Sequence, residues 1–220
     1  MKEQGTFYKP EVMDLDSVIE PYQKAFEGWP WYEVSKCADI RSPTRCEGGL
    51  SKTAIGQLCG ACEYAPSRPA YEPEELRVKF KLIGDTRPTS WYTEEVDAGV
   101  TLAAVAWSAA PNVIAAEKYQ DVPDMTEWLE TTLGEEDIVW LDEVFANKDL
   151  KQSGNLARFD SMCEGFLDTL EGTALAFRTI NPAMTRAAIK NFKERALVFT
   201  RNEQVPDRRD FVVIKRNEEM

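Results

Sequence analysis

The sequence predicts one α/β domain carrying an inserted loop module, and three observations support this. The C-terminal third alternates apolar runs with amphipathic stretches in the order strand, helix, strand, helix, strand, strand, the pattern of a mixed central sheet flanked by helices. A chain of 220 residues, 43% hydrophobic and 29% charged, buries one sizeable core. Between residues 35 and 69 the periodic apolar signal lapses, and that stretch holds four of the five cysteines, four glycines and three prolines. Residues 1–220 are therefore read as a single domain, with residues 35–69 inserted into it.

Residues 14–27 place Val18, Ile19, Tyr22 and Phe26 at helical spacing, with Pro21 expected in the first turn and Gly28 and Pro30 ending the helix. Residues 72–84 form a helix opened by Pro73. DAGVTLAAVAWSAA, residues 97–110, is a central strand or hairpin arm, although its alanines also suit a helix. Asp124 caps a short helix to Leu133, and Ile138–Ala146 is a strand. Asn155–Leu170 presents Leu156, Phe159, Met162, Cys163, Phe166 and Leu170 on one helical face. Thr173–Ile180 is a strand, Pro182 begins a helix running to Arg195, and Ala196–Arg201 and Phe211–Lys215 close the chain as strands.

A net charge of −12 argues against a nucleic-acid partner, which would require a basic footprint, and mildly favours cationic substrates, the competing reading being a solvated acidic surface kept for solubility. There is no histidine, so a catalytic base has to be Asp, Glu, Tyr, Lys, Cys or a positioned water, and a soft metal has to sit on cysteines. No apolar run reaches membrane-spanning length, so no membrane partner is expected. The opening MKEQGTFYKPEVMDLD carries no apolar signal region, which makes the cytoplasm the expected compartment.

The cysteines read Cys37-x8-Cys46-x12-Cys59-x2-Cys62. Cys59 and Cys62 have the knuckle spacing that brings two thiolates to one ion, and four thiolates suit a closed structural zinc site. Gly48, Gly49, Gly56 and Gly60 suit a loop-rich metal fold. An iron–sulfur cluster, a disulfide pair and four unrelated thiols are the competing readings, the disulfide being disfavoured by a cytosolic setting. Cys163 lies on an apolar helical stripe and is read as core.

Residues 140–156, WLDEVFANKDLKQSGNL, run from a strand through a polar break into a helix. Amides from Gln152 to Ala157 would then point out of the helix N-terminus, where the dipole favours an anion. Gly154 permits close backbone approach and Lys151 brings a positive charge. On these residues alone the stretch is either a pyrophosphate seat or a capped helix.

The order of elements from Ile138 to Lys215 resembles the GNAT superfamily of acyl-CoA-dependent N-acyltransferases. Lys151-Gln152-Ser153-Gly154-Asn155-Leu156 lies over that family's Arg/Gln-x-x-Gly-x-Gly/Ala cradle. Gly154 matches, Lys151 keeps the cation, and Leu156 replaces the small last residue. AFEGWPWYE, residues 25–33, is similar to the aromatic segment beside the family's acceptor site, and Asn181 matches a frequent family asparagine. The likeness spans residues 14–33 and roughly 95–216 and leaves out the cysteine insertion.

The resemblance implies transfer of an acetyl group from acetyl-CoA to an amine of a small molecule or peptide. By position, Val144, Phe145 and Ala146 would hold the pantetheine arm through backbone groups, and residues 152–156 would hold the pyrophosphate. Asp142 falls where many members place a carboxylate facing the amine. Strict alternation sends Glu143 to the opposite face, so Asp142 is the expected proton acceptor, provided desolvation raises its pKa, and Glu143 is the alternative; the competing reading for both is a charged strand edge or an internal salt bridge. Trp31 and Tyr32 are the acceptor-side aromatics, with Glu33 placed to meet a cationic acceptor. Of the other aromatics considered, Trp91, Tyr92 and Trp107, most are read as core. The family's tyrosine acid falls at Phe192, so the leaving thiolate would take its proton from Tyr119, Tyr92 or water. The rival expectation is a non-catalytic GNAT-like fold that binds acyl-CoA or a protein and is stabilised by zinc. A metal-dependent redox protein is a third.

Overall fold

The computed structural model describes residues 5–26, 73–96, 99–118, 123–146, 158–179, 182–200 and 210–217. Asp14 starts the first helix, its Oδ1 accepting the Asp16 N–H at 3.1 Å and its carbonyl accepting the Ser17 hydroxyl at 2.7 Å. The helix, α1 (Asp16–Phe26), buries Val18, Ile19 and Tyr22, as the spacing predicts. Pro21 is its sixth residue, one turn later than expected, and deprives Ser17 of a helical donor. Next comes α2 (Pro73–Thr86), with Pro73 first, Glu74 and Glu75 in its first turn, and Leu76 and Phe80 buried.

The sheet has seven strands: β1 (Thr6–Tyr8), β2 (Thr89–Val96), β3 (Gly99–Ala109), β4 (Ile138–Ala146), β5 (Ala174–Thr179), β6 (Ala196–Thr200) and β7 (Asp210–Lys215). Their order is β1-β2-β3-β4-β5-β7-β6, and every neighbouring pair is antiparallel except β4 and β5. Between β3 and β4 the chain makes two helices, α3 (Pro111–Lys118) and α4 (Pro123–Leu133). The helix α5 (Phe159–Leu170) crosses from β4 to β5, and α6 (Pro182–Phe192) leads through a short turn, Lys193–Arg195, to β6. Glu171 takes a left-handed conformation to end α5.

Alternation along the strands sorts the core by face. Leu102, Ala104 and Ala106 of β3 meet Val139 and Leu141 of β4, and α5 and α6 cover them with Phe159, Met162, Phe166, Ala188 and Phe192. On the opposite face Ala103, Val105 and Trp107 pack under α1 and α2 at one end and under α3 and α4 at the other. Gly165 is needed on α5, because a Cβ there would sit 2.2 Å from Phe7 Cζ, where that ring packs edge-on against Phe166.

Two irregularities shape the middle of the sheet. The parallel ladder between β4 and β5 holds only Val139 with Leu175 and Trp140 with Ala176, although β4 runs on to Ala146 and β5 to Thr179. The β3–β4 register also slips by one: Val105 pairs with Glu143 and Ala106 with Leu141, leaving Asp142 as the extra residue of a β-bulge.

Candidate functional site

The bulge decides where the two adjacent acids point. Ile138 and Trp140 face α3 and α4, and Val139 and Leu141 face α5. Alternation would then send Glu143 to the α5 side, the sequence-based expectation. The extra residue resets the phase instead, so Asp142 and Glu143 share one face, while Val144 and Ala146 turn to α5 and Phe145 packs under α1. Both carboxylates therefore lie on the α1–α4 side, just beyond the last β4–β5 rung.

Asp142 is the more enclosed, with 7% of its side chain exposed. Its Oδ1 accepts from Trp140 Nε1 at 2.9 Å and from Lys118 Nζ at 2.5 Å. Lys118 ends α3, and its ammonium lies 5.5 Å and 5.8 Å from the ring centres of Trp107 and Trp140. Arg178 of β5 donates to the Lys118 carbonyl at 3.1 Å. Burial alone would raise the Asp142 pKa. The Lys118 charge and hydrogen bond, the Lys79 charge and the Trp140 N–H outweigh it and hold the carboxyl below its ordinary value. The condition under which Asp142 would serve as base, a pKa raised by desolvation, is therefore not met.

Glu143 has 15% of its side chain exposed. Its Oε1 accepts from Lys79 Nζ of α2 at 2.6 Å and from the Tyr22 hydroxyl of α1 at 3.4 Å, and Lys79 also donates to that hydroxyl at 3.4 Å. Tyr22 stands edge-on to Phe80 and Phe145, which fixes its ring. A carboxylate, a phenol and an ammonium thus converge from three elements. This arrangement can accept a proton, donate one, or orient an amine.

Of the residues expected at the site, the sheet brings together Asp142, Glu143, Val144, Phe145 and Ala146. Lys151, Gln152, Ser153, Gly154, Asn155, Leu156, Asn181, Trp31, Tyr32 and Glu33 lie outside the described residues, as do Cys37, Cys46, Cys59 and Cys62. Among the described residues no group of three or more Cys, Asp or Glu forms a metal site. Phe192 is core, edge-on to Phe159. Tyr92 is no proton donor to this cleft. It lies in the core on the α5 face, and burial together with its 2.6 Å bond to Glu94 pushes its pKa up. Trp91 and Trp107 are also core. Burial pushes the Cys163 thiol up, so that it stays protonated and inert.

Sequence reasoning missed Tyr22, Lys79, Lys118 and Arg178 as site residues. Lys79 did leave a signal: three residues after Leu76 and one before Phe80, it borders the buried stripe of α2, where an unpaired lysine is costly. Lys118 left only its place at a helix end.

No family model matches the chain, and no curated protein matches it in sequence. Solved structures do match in shape. The mosquito arylalkylamine N-acetyltransferase like 5b is 10% identical, with 96% of this chain and 100% of that one covered and a TM-score of 0.54. The histone acetyltransferase HPA2 and related acetyltransferase from Corynebacterium glutamicum ATCC 13032 is 11% identical, with 98% of each chain covered and a TM-score of 0.52. At such identities the likeness is one of fold, and the mixed seven-stranded sheet flanked by helices is consistent with the GNAT fold. Among the described residues no helix is long and apolar enough to cross a membrane.

Proposed function

We propose that the chain is an N-acetyltransferase that moves an acetyl group from acetyl-CoA to an amine. The observation that carries this reading is the pair of acids that the bulge at Asp142 turns to one face, beside the point where β4 and β5 part. The acetyl-pantetheine arm lies in that parting, along the backbone of Val144, Phe145 and Ala146. The pyrophosphate rests on residues 151–156 ahead of α5, with Asn181 beside the arm. Trp31, Tyr32 and Glu33 receive the acceptor, a small-molecule or peptide amine.

Each acid is paired with a lysine, and Glu143 rather than Asp142 is the proton acceptor in this reading because it is the more exposed of the two and stands beside the Tyr22 hydroxyl, whereas Asp142 is enclosed and held ionised by Lys118 and Trp140. Glu143 takes a proton from the acceptor ammonium, directly or through water, and Lys79 and Tyr22 fix its orientation. The amine lone pair forms the C–N bond, backbone amides polarise the carbonyl, the C–S bond breaks, and the proton shed by the newly acylated nitrogen passes through water to the CoA sulfur. Cys37, Cys46, Cys59 and Cys62 hold a structural zinc in this reading, apart from the chemistry.

A second reading is favoured by the lysine held against each acid and by Phe192 standing where a phenol would be: a GNAT-like fold that binds acyl-CoA or a protein without turnover. Calorimetry with acetyl-CoA followed by thiol release against a panel of amines separates the readings. Binding with release supports the enzyme, binding alone supports the second reading, and no binding removes both acyl-CoA proposals. Gly154→Trp is expected to abolish acetyl-CoA binding while the melting temperature stays put, and unchanged affinity would count against the cradle.

A further inference from the structure

We propose that Lys118 is a strut across the parting of β4 and β5 and that it limits the size of the acyl group the site accepts. The last rung joins Trp140 to Ala176. Two residues further along each strand, on the same face, stand Asp142 and Arg178. Lys118 reaches both: its Nζ donates to Asp142 Oδ1 at 2.5 Å, and its carbonyl accepts from Arg178 Nη1 at 3.1 Å. One residue at the end of α3 thus spans from strand to strand where strand pairing has stopped.

The strut is held by several contacts. Its ammonium lies against Trp107 and Trp140, Trp140 shares its carboxylate oxygen, and Phe211 stacks on Trp140 at 6.3 Å and 19°. Only 7% of the Asp142 side chain and 31% of the Lys118 side chain are exposed. Swinging Lys118 aside would leave an enclosed carboxylate without its cation, which is costly. A strut so held closes the parting on the α1–α4 face at the level of the bulge. The inference rests on the reading that the acyl-pantetheine arm lies between these strands. On that reading the strut shortens the room left for the acyl chain, so an acetyl group is expected to bind better than a chain two methylenes longer.

The test compares calorimetric affinities for acetyl-CoA and butyryl-CoA. The wild type is expected to bind acetyl-CoA more tightly. The double variant Lys118→Ala with Asp142→Asn removes the strut without stranding a charge, and it should shift the affinity ratio about tenfold towards butyryl-CoA, as two methylenes gain an apolar seat. Lys118→Gln, shorter but still able to donate to Asp142, should move the ratio the same way and keeps the test open if the double variant does not fold. Lys118→Arg retains charge and reach and should keep the wild-type ratio. A ratio unmoved in folded Lys118→Gln or in the double variant, or a wild type indifferent to acyl length, would overturn the strut while leaving the acyl-CoA reading standing. A wild type that binds neither donor would remove both.

Discussion

Replacing the two adjacent acids one at a time separates their roles. Glu143→Gln keeps shape and hydrogen-bonding capacity but removes the proton acceptor. General-base assistance is worth about 10²–10⁴-fold, so kcat/KM should fall by that factor, or about 3–5 kcal/mol of barrier. Its ion pair with Lys79 joins side chains 15% and 29% exposed. The stability cost should therefore stay near 1 kcal/mol, or about 2–4 °C in melting temperature for a domain of this size. Asp142→Asn should do the reverse. The Asn oxygen still accepts from Trp140, but the more enclosed of the two carboxylates, 7% exposed, loses its charge-assisted bond from Lys118, which costs about 1.5–3 kcal/mol and lowers the melting temperature by roughly 3–10 °C. Its kcat/KM should fall less than that of Glu143→Gln. The assay is thiol release from acetyl-CoA with whichever amine the wild type acetylates, run beside scanning calorimetry. A larger loss of kcat/KM in Asp142→Asn than in Glu143→Gln, with its melting temperature unmoved, would refute the assignment and make Asp142 the base.

Acid should expose the same pair. Asp142 has its pKa lowered by folding, so the stability it contributes is complete above the unfolded carboxylate value, about pH 4, and is lost as pH falls through the lower folded value. Melting temperature followed from pH 6 down to about pH 3 should therefore drop less steeply in Asp142→Asn than in the wild type, and parallel curves would contradict the depressed pKa. For the cysteine module, Cys59→Ser should lower zinc content, measured by elemental analysis, together with melting temperature. Loss of neither would mean the four thiols are not a structural site.

Much of the C-terminal half is legible in the sequence because each element there has one apolar face and a terminal signal. Ile138–Ala146 is a nearly continuous apolar run, and Pro182 opens its helix. The strand β2 was missed because Thr89, Ser90, Thr93 and Glu94 are buried polar residues that erase the period-two pattern. Glu94 is tolerated there only because Tyr92 and Arg158 satisfy it, a contact made across 64 residues that no local window shows. The helix α3 did carry a signal in Pro111 at its first position, but its eight residues are too few to show a stripe. In β4 the residue types were read correctly and the phase was not. A bulge inserts a residue without altering composition, so the alternation rule fails at Asp142 and puts Glu143 on the wrong face.

Two rungs between β4 and β5 make this sheet, in effect, two smaller sheets sharing a narrow spine. Cohesion across that spine comes from the helices packed above and below it and from Lys118, more than from backbone pairing. Any molecule lodged there with contacts to both halves would join them, and by mass action its occupancy would add directly to resistance against unfolding.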